Sequence, residues 1–349
     1  MKKILFYFGH PAQYHFAKNA IRQLINDGHE VCILIKTKDM LEDLVSDDGL
    51  EYINIQPNKH KSNIFSLAIA TFERVGRVIK QCRVFCPDIL VGPDASVAQA
   101  GWLLDIPCLI FGEDDVAVIQ NLARVTYPFA TKIFSPNVCD LGKWNKKKIG
   151  YEGYMKLAYL HPDYFTPQRS IVEKYIKLDK PYFLLRFARL SAHHDGGIKG
   201  INDPIAQRLV DTLTPYGNVY ISSERPLQKQ FEQYRLNIEP KDIHHLLAFA
   251  TILIADSQSM TMEAAMLGTP AVRFNDFVGK IGVLNEVEQK YHLAEGVTTD
   301  QPEQLFATIN QMLQTENLKE EYQRRRQVML KDKIDVTKYF VSVIKSYLK

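Results

Sequence analysis

The chain has 349 residues, a length typical of two domains. Hydrophobic residues make up 46% and charged residues 24%, as in globular proteins, and a net charge of +3 does not indicate nucleic-acid binding. The five cysteines lack metal-ligand spacing and are typical of reduced thiols in a cytoplasmic protein. No apolar run reaches the roughly 18–20 residues of a membrane span, and the run at residues 4–8 is too short for a signal peptide.

The first half of the chain alternates between strand and helix patterns. A turn is predicted at residues 9–15, and residues 132–135 are predicted as the last strand of this half. The turn contains one glycine and therefore lacks the dinucleotide fingerprint, which counts against NAD binding. We expect no cofactor. The alternation predicts a doubly wound parallel sheet, with strands at 4–8, 29–35, 51–55, 88–91, 107–111 and 132–135 and helices at 16–27, 64–82 and 96–104.

Three side chains of this half are candidates for chemistry. Asp94 and Glu113 follow two predicted strands, at the edge where open α/β sheets bind ligands. His15 is a candidate base, because a neutral imidazole suits proton transfer near physiological pH. The alternative for His15 is that its ring caps or packs against the first helix.

A change in composition indicates where the first domain ends. We predict an N-terminal domain over residues 1–160, a linker over 161–180, a second domain over 181–330 and a C-terminal helix over 331–349 that packs back on the first domain. The second half repeats the alternation, with strands at 182–188, 219–222, 252–255 and 271–274 and helices at 204–214, 227–234, 260–267, 301–314, 318–330 and 336–348.

Residues 252–274 read as a strand, a polar turn, a helix and a second strand. Small residues and hydroxyls at Ser257 and Ser259 stand where a helix N-terminus favours an anion, which predicts phosphate binding. Glu263, one turn further, could accept hydrogen bonds from both ribose hydroxyls. The alternative is that Ser257 or Ser259 caps the helix and that Glu263 is a solvated helix residue.

Cations follow the first strand of the second half. Arg189 and His193 are candidates for binding a diphosphate leaving group, whose developing charge they would stabilise. Ser222, at the end of the next strand, is a further candidate for substrate binding. His193, His194 and Asp195 also raise the question of a metal, but adjacent histidines do not easily face one ion, and we expect no metal.

The turn and helix at residues 256–270 carry a family resemblance. Asp256-Ser257-Gln258-Ser259, followed by Glu263-Ala264 and by Gly268-x-Pro270, resembles the nucleotide-binding stretch of the hydrolysing UDP-GlcNAc 2-epimerases. Those enzymes share the GT-B fold with many glycosyltransferases. The resemblance implies that Ser257 and Ser259 lie at the phosphates and Glu263 at the ribose, although the family has glycines where Gln258 and Ser259 stand.

The resemblance extends to the first half and gives its acids a role. Asp94 and Glu113 fall on two acid positions of the epimerases, which implies catalysis, whereas residues 118–120 contain no carboxylate for the third. The chain as a whole resembles a bacterial and archaeal domain-of-unknown-function family, through motifs such as Gly-Pro-Asp-Ala-Ser (92–96) and Ala-Tyr-Leu-His-Pro (158–162). That second resemblance brings no established activity.

These observations together predict an α/β protein of GT-B-like fold, with two Rossmann-type domains whose parallel sheets face each other across a cleft. The expected function is a metal-independent glycosyltransferase of cell-surface polysaccharide synthesis, with a UDP-sugar donor and a glycan or lipid-linked acceptor. A hydrolysing NDP-sugar 2-epimerase and a non-catalytic sugar-nucleotide-binding protein are the alternatives. We expect a cytoplasmic protein that does not bind nucleic acid, and leave peripheral membrane contact and a homodimer open.

Overall fold

The computed structural model describes residues 1–37, 40–56, 64–189 and 199–348, and of residues 64–70 it describes the backbone alone. The chain divides into two compact units. The first unit comprises Met1–Tyr159 and Ile334–Lys349, and the second comprises Leu160–Lys333. Among the residues described, no helix is both long enough and apolar enough to cross a membrane.

The first unit is built on a parallel sheet of seven strands in the order β3-β2-β1-β4-β5-β6-β7. The strands are β1 (Lys3–Phe8), β2 (Glu30–Lys36), β3 (Ile53–Gln56), β4 (Ile89–Val91), β5 (Cys108–Phe111), β6 (Lys132–Pro136) and β7 (Lys148–Tyr151). The helices are α1 (Pro11–Asn26), α2 (Leu41–Asp47), α3 (Ile64–Phe85), α4 (Ala95–Leu104), α5 (Gln120–Thr126) and, at the end of the unit, α6 (Leu157–Leu160).

Apolar residues cover both faces of this sheet. On one face, side chains of α3, α4 and α5 such as Val78, Val97 and Ala123 form a buried cluster with Leu5 and Leu90 of the strands. The C-terminal helix α14 (Val336–Ser346) packs against α1. Its residue Phe340 lies 4.7 Å from Phe16 and 5.0 Å from Phe134, measured between ring centroids. Burial of these large aromatic side chains fixes the helix on the first unit.

Two local predictions for the first unit are wrong. Residues 11–15 belong to helix α1, which begins at Pro11 with His10 as its N-cap, because proline fits the first position of a helix. His15 therefore lies within a helix. Residues 132–135 are not the last strand, since Lys148–Tyr151 adds β7 alongside β6. This short strand contains a glycine and begins in a run of three lysines, so its sequence pattern does not indicate a strand.

The second unit contains a parallel sheet of five strands in the order β12-β11-β10-β8-β9. These strands are β8 (Tyr182–Phe187), β9 (Asn218–Ser223), β10 (Ile252–Ala255), β11 (Ala271–Phe274) and β12 (Glu295–Val297). Its helices are α7 (Arg169–Val172), α8 (Asp203–Leu213), α9 (Ile243–Phe249), α10 (Gln258–Leu267), α11 (Gly282–Gln289), α12 (Pro302–Gln314) and α13 (Leu318–Asp332). The predicted helix at 227–234 is instead a 3₁₀ segment over Lys229–Tyr234.

Gly268 ends α10 in the left-handed conformation, with φ of 66°. Residues that carry a Cβ atom seldom adopt this backbone conformation, which explains the glycine at the end of the helix. A Cβ atom here would also lie 2.6 Å from Gln323 Nε2, which donates hydrogen bonds to the carbonyl oxygens of Leu267 and Gly268. The lack of a side chain at Gly268 therefore allows Gln323 of α13 to bind the end of α10, and this contact fixes the helix that follows β10.

We predict that Gly268→Ala lowers the free energy of unfolding by more than the roughly 1–2 kcal/mol expected of the backbone conformation alone. Gly279→Ala is the matched control, because Gly279 has φ of 80° and a Cβ atom there would meet none of the described residues within 4 Å. Urea denaturation of both variants measures the difference. Equal losses in the two variants would show that the contact with Gln323 contributes nothing.

Candidate functional site

The carboxyl ends of β8, β9 and β10 lie side by side in the second unit. Arg186 of β8 is in register with Ser222 of β9 and with Ala255 of β10. Because parallel strands end at the same edge of a sheet, the polar residues that follow them gather there. Three of the predicted site residues, Arg189, Ser222 and Ser257, lie at or just beyond these strand ends.

Asp256 is the buried centre of this edge, with 1% of its surface exposed. Its Oδ1 accepts a hydrogen bond from Ala188 N at 2.6 Å, and its Oδ2 accepts one from Ile201 N at 3.2 Å. Burial raises the pKa of this carboxyl to about 6, although the two N–H donors and the Arg225 guanidinium act in the opposite direction. A single carboxylate thus joins two points that are 13 residues apart along the chain.

Glu224 connects the end of β9 to the end of β8. Its carboxylate accepts a hydrogen bond from Arg186 Nη2 and, through Oε2, another from Arg189 N at 3.0 Å. Ser222 Oγ accepts from Arg186 Nη1 at 2.7 Å. The structure therefore places Ser222 beside Arg186. The backbone of Arg189 is held by Glu224, whereas its side chain is exposed.

Helix α10 starts at the same edge, directly after Asp256. Ser257 is its N-cap, and Ser257 Oγ accepts a hydrogen bond from Met260 N at 3.4 Å. Ser259 lies in the first turn and is exposed. The helix dipole and the hydroxyl of Ser259 are suited to an anion, while Ser257 has the capping role that was the alternative prediction.

Glu263 is four residues beyond Ser259, on the same side of α10. It is buried, with 8% of its surface exposed, and its Oε1 lies 3.3 Å from Nε2 of His244 on α9. His244 is itself buried and lies 6.1 Å from the ring of Phe165. Glu263 is thus a buried acid beside an imidazole, not the solvated helix residue of the alternative prediction.

The predicted residue His193 lies outside the described residues, as do His194 and Asp195. Within the described ranges, no group of three or more His, Cys, Asp and Glu side chains could hold a metal ion.

Glu113 follows β5 in the first unit and is buried. Its Oε2 accepts a hydrogen bond from Met155 N at 3.1 Å, and its Oε1 forms an ion pair with Lys156, whose side chain is 6% exposed. The ammonium of Lys156 compensates the negative charge of the Glu113 carboxylate. The pair is buried, so each partner depends on the other for compensation of its charge.

His15 contacts the same short segment as Glu113. Its ring stacks on Tyr159 with 5.2 Å between centroids, and His15 is buried in α1. Asn19 of the same helix donates a hydrogen bond to the carbonyl oxygen of Ala158. Residues 155–159 therefore contact both Glu113 and His15, although the two are far apart in sequence.

Asp94 lies in a separate polar cluster at the end of β4. It is the N-cap of α4, and its Oδ1 accepts hydrogen bonds from Ser96 N at 2.9 Å and Ser96 Oγ at 2.6 Å. Arg74 Nε is 3.9 Å from the same oxygen, and Arg74 Nη1 donates to Gln56 at 3.1 Å. The structure does not bring Asp94 into the segment shared by Glu113 and His15.

Basic runs in the sequence are mostly structural. Lys147 Nζ donates to the carbonyl oxygens of Tyr127, Pro128 and Ala130, and Lys148 Nζ donates to those of Asn137 and Cys139. The two ammonium groups thus supply hydrogen-bond donors to backbone carbonyl oxygens of nearby loops.

The sequence does not predict the partners of the candidate residues. Asp256 lies inside the motif without a predicted role, and the sequence predicts none for Lys156 and His244 because their partners are distant along the chain. The only sequence signal was a charged residue inside a largely apolar stretch at Lys156.

Solved structures with the same architecture define the fold class. MnaA from S. aureus, solved with UDP, is 16% identical with a TM-score of 0.72, covering 100% of this chain and 97% of that one. The UDP-GlcNAc 2-epimerase from Neisseria meningitidis, bound to UDP-GlcNAc, is 14% identical with a TM-score of 0.68, covering 99% of both chains. The spinosyn rhamnosyltransferase SpnG, complexed with thymidine diphosphate, is 14% identical with a TM-score of 0.65, covering 99% and 100%. The predicted GT-B fold is confirmed.

A family model identifies the chain more closely. Residues 5–347 match the family described as "Protein of unknown function (DUF354)", and the chain belongs to that family. No curated protein matches the chain by sequence. The predicted resemblance to a family of unknown function, with epimerases and glycosyltransferases as structural neighbours, is thereby confirmed.

We predict that Lys156→Met lowers the free energy of unfolding by about 3 kcal/mol, because it leaves the Glu113 carboxylate buried without its cation. The double variant with Glu113→Gln should recover most of this loss. Lys2→Met is the control: Lys2 pairs with Asp88 at 3.5 Å on the surface, where an ion pair contributes at most about 1 kcal/mol. Urea denaturation followed by circular dichroism distinguishes these cases. A loss no larger than that of the control would contradict the role of the pair.

Proposed function

We propose that the chain is a glycosyltransferase that moves a sugar from a nucleotide-sugar, with a UDP-sugar as the expected donor, to a glycan or lipid-linked acceptor of cell-surface polysaccharide synthesis. The GT-B fold supports this proposal, since solved proteins of that fold bind UDP, UDP-GlcNAc and thymidine diphosphate. The observation that carries it is the edge of the second sheet, where Arg189 and the first turn of α10 flank the buried carboxylate of Asp256.

The second unit binds the donor in this proposal. The diphosphate lies at the first turn of α10, where Ser259 donates a hydrogen bond and Arg189 supplies positive charge. Ser257 contributes the capped helix N-terminus, and His193 is proposed to lie at the same diphosphate. Ser222 orients Arg186 beside this edge. Glu263 accepts hydrogen bonds from the ribose hydroxyls.

The chemical step is a displacement at the anomeric carbon. An acceptor hydroxyl attacks that carbon and gives its proton to a base, while the bond from the anomeric carbon to the diphosphate oxygen breaks. The negative charge that develops on the diphosphate is stabilised by Arg189 and by the dipole of α10. The nucleoside diphosphate then leaves with both electrons of the broken bond.

The first unit supplies the base. Glu113 is the first choice, because it follows β5 at the carboxyl edge of the sheet, where open α/β sheets bind their ligands. His15, held on the same segment by Tyr159, is the second choice. Asp94 is the third, since its carboxylate already caps α4.

A hydrolysing epimerase is the second candidate function. One observation favours it: Asp94 and Glu113 follow the neighbouring strands β4 and β5, as two acids of the epimerases do. Residues 118–120, where the third acid is expected, are Val, Ile and Gln.

We predict that one or more nucleotide-sugars from a panel raise the melting temperature of the protein, because ligands that bind only the folded state stabilise it. Without acceptor, a transferase should release nucleoside diphosphate slowly, whereas an epimerase should release it quickly. A thermal shift without release under any condition would support the non-catalytic alternative, and absence of any shift would reject all three functions.

A charge-matched pair of variants makes this measurement specific. Arg189→Ala should weaken binding of the stabilising nucleotide-sugar about tenfold, the effect of losing one charge-assisted hydrogen bond. Arg324→Ala should leave it unchanged, since Arg324 is exposed and pairs with Glu321. Equal affinities in the two variants would reject the diphosphate contact of Arg189.

We predict that Glu263→Gln weakens binding of UDP about tenfold but changes binding of 2′,3′-dideoxy-UDP less than twofold, because only UDP has the ribose hydroxyls that donate hydrogen bonds to the carboxylate. Isothermal titration calorimetry of both ligands with both proteins gives this coupling. Glu303→Gln, which removes a surface acid paired with Arg208, is the control and should affect neither ligand. An equal loss for both ligands would reject the ribose contact and point to a structural role of Glu263 beside His244.

A further inference from the structure

The two oxygens of Asp256 serve two different parts of the chain. Oδ1 accepts from Ala188 N, just beyond the end of β8, and Oδ2 accepts from Ile201 N, shortly before α8. Asn275, after β11, holds the backbone of Asp256 by donating from Nδ2 to its carbonyl oxygen at 2.9 Å. The carboxylate is therefore fixed at the sheet edge and in turn fixes both flanks.

Each flank carries a cation next to its anchored amide. Arg189 follows Ala188, and Lys199 is two residues before Ile201. The backbone of Arg189 is held by Glu224, and that of Lys199 by Asp276, whose Oδ2 accepts from Lys199 N at 3.0 Å. These contacts fix the backbone from which each cationic side chain extends.

We propose that Asp256 is a positioning residue for nucleotide-sugar binding. Its ionised carboxylate holds Ala188 and Ile201 together, so that the cations beside them face the diphosphate. Protonation of the carboxylate weakens this arrangement. The inference rests on the proposed function for its ligand. It adds a regulatory property to the site, namely loss of affinity in mildly acidic solution.

The chemistry of a carboxyl group explains the effect of protonation. A carboxylate accepts at both oxygens, whereas a carboxylic acid has a hydroxyl on one of them, which would face an N–H donor. Protonation therefore weakens one of the two links. Asp256→Asn imitates this state, because one side of its amide is an NH₂ group that cannot accept.

The charged groups at this edge include Arg225 and Asp276 as well as Asp256. Arg225, from the turn after β9, faces the Asp256 carboxyl and donates to the carbonyl oxygen of Ile201. Asp276 is partly desolvated, but hydrogen bonds from Thr299 and the amide of Lys199 lower its pKa. Burial raises the pKa of Asp256 to about 6, so between pH 7.5 and 5 Asp256 gains a proton while Asp276 stays ionised.

The first measurement is free of nucleotide. In protein labelled with ¹⁵N-alanine and ¹⁵N-isoleucine, the amide resonances of Ala188 and Ile201 should move together between pH 7.5 and 5, with a midpoint near 6. Both should be pH-independent in Asp256→Asn. Absence of a common titration in the wild type would overturn the assignment of Asp256 as the group that holds both flanks.

The second measurement is the affinity for UDP-N-acetylglucosamine, whose esterified diphosphate does not titrate in this range. The dissociation constant of the wild type should rise about tenfold when the pH falls from 7.5 to 5. Asp256→Asn should bind about tenfold more weakly at pH 7.5 and show a flatter profile. Asp211→Asn, which removes an exposed acid bonded to Gln207, should follow the wild type.

The outcomes separate the two proposals. In one outcome the two amides titrate together, but the affinity has the same pH profile in the wild type and in Asp256→Asn. That outcome would overturn the positioning role and leave the proposed function intact. No binding of any nucleotide-sugar by the wild type at pH 7.5 would overturn the proposed function, and the role of Asp256 in binding with it. Even then, the amide titration would report whether Asp256 holds the two flanks. If Asp256→Asn does not fold, the wild-type amides and affinity must share one midpoint, and separate midpoints overturn the inference.

Discussion

Burial of polar groups at the ends of parallel strands is the constraint on which this structure depends. Strands that are covered on both faces leave their polar residues at the carboxyl edge, where each buried donor and acceptor needs a partner. Asp256 meets this requirement with two backbone amides, and Glu113 meets it with an amide and an ammonium. In both units the partner comes from a segment that is remote in sequence, so the same contact that satisfies a buried acid also fixes a loop.

This constraint explains why the two acids have different surroundings. The carboxylate of Asp256 accepts from two backbone amides and has a guanidinium nearby, and burial raises its pKa to about 6. Glu113 has the ammonium of Lys156 directly against one oxygen. An acid held by neutral donors can change its protonation state near physiological pH, whereas an acid paired with a cation is stabilised as the anion. The first arrangement suits a group that responds to pH, and the second fixes its carboxylate through a direct ion pair.

The sequence predicts the parts of this structure that depend on local pattern. The strands at 252–255 and 271–274 have the predicted bounds, because a polar turn directly follows the first apolar run and Gly-Thr-Pro directly precedes the second. The two successive alternations predicted two α/β domains, and the resemblance to the epimerases implied the GT-B fold. Short elements without a clear period, such as β7 and β12, were not predicted.

Contacts between distant segments were beyond local pattern. Lys156 is 43 residues from Glu113, and Asp256 is 68 residues from Ala188. Neither separation leaves a periodic signal, and the identity of the partner is fixed only when the strands take their order in the sheet. The sequence therefore indicated which residue types gather at the edge, but the pairing of Glu263 with His244 and of Glu113 with Lys156 required the fold.

The acids of the first unit bear on the choice between transfer and epimerisation. Inversion at C2 of a sugar requires a proton to leave a carbon and another to return on the opposite face, which calls for more than one titratable group. Transfer to a hydroxyl requires a single base. Asp94 is engaged at the start of α4, and residues 118–120 provide no carboxylate, whereas Glu113 and His15 share one segment. A single acid on this segment is a better match to one proton acceptor than to a two-step exchange, and this supports the proposed transfer over epimerisation.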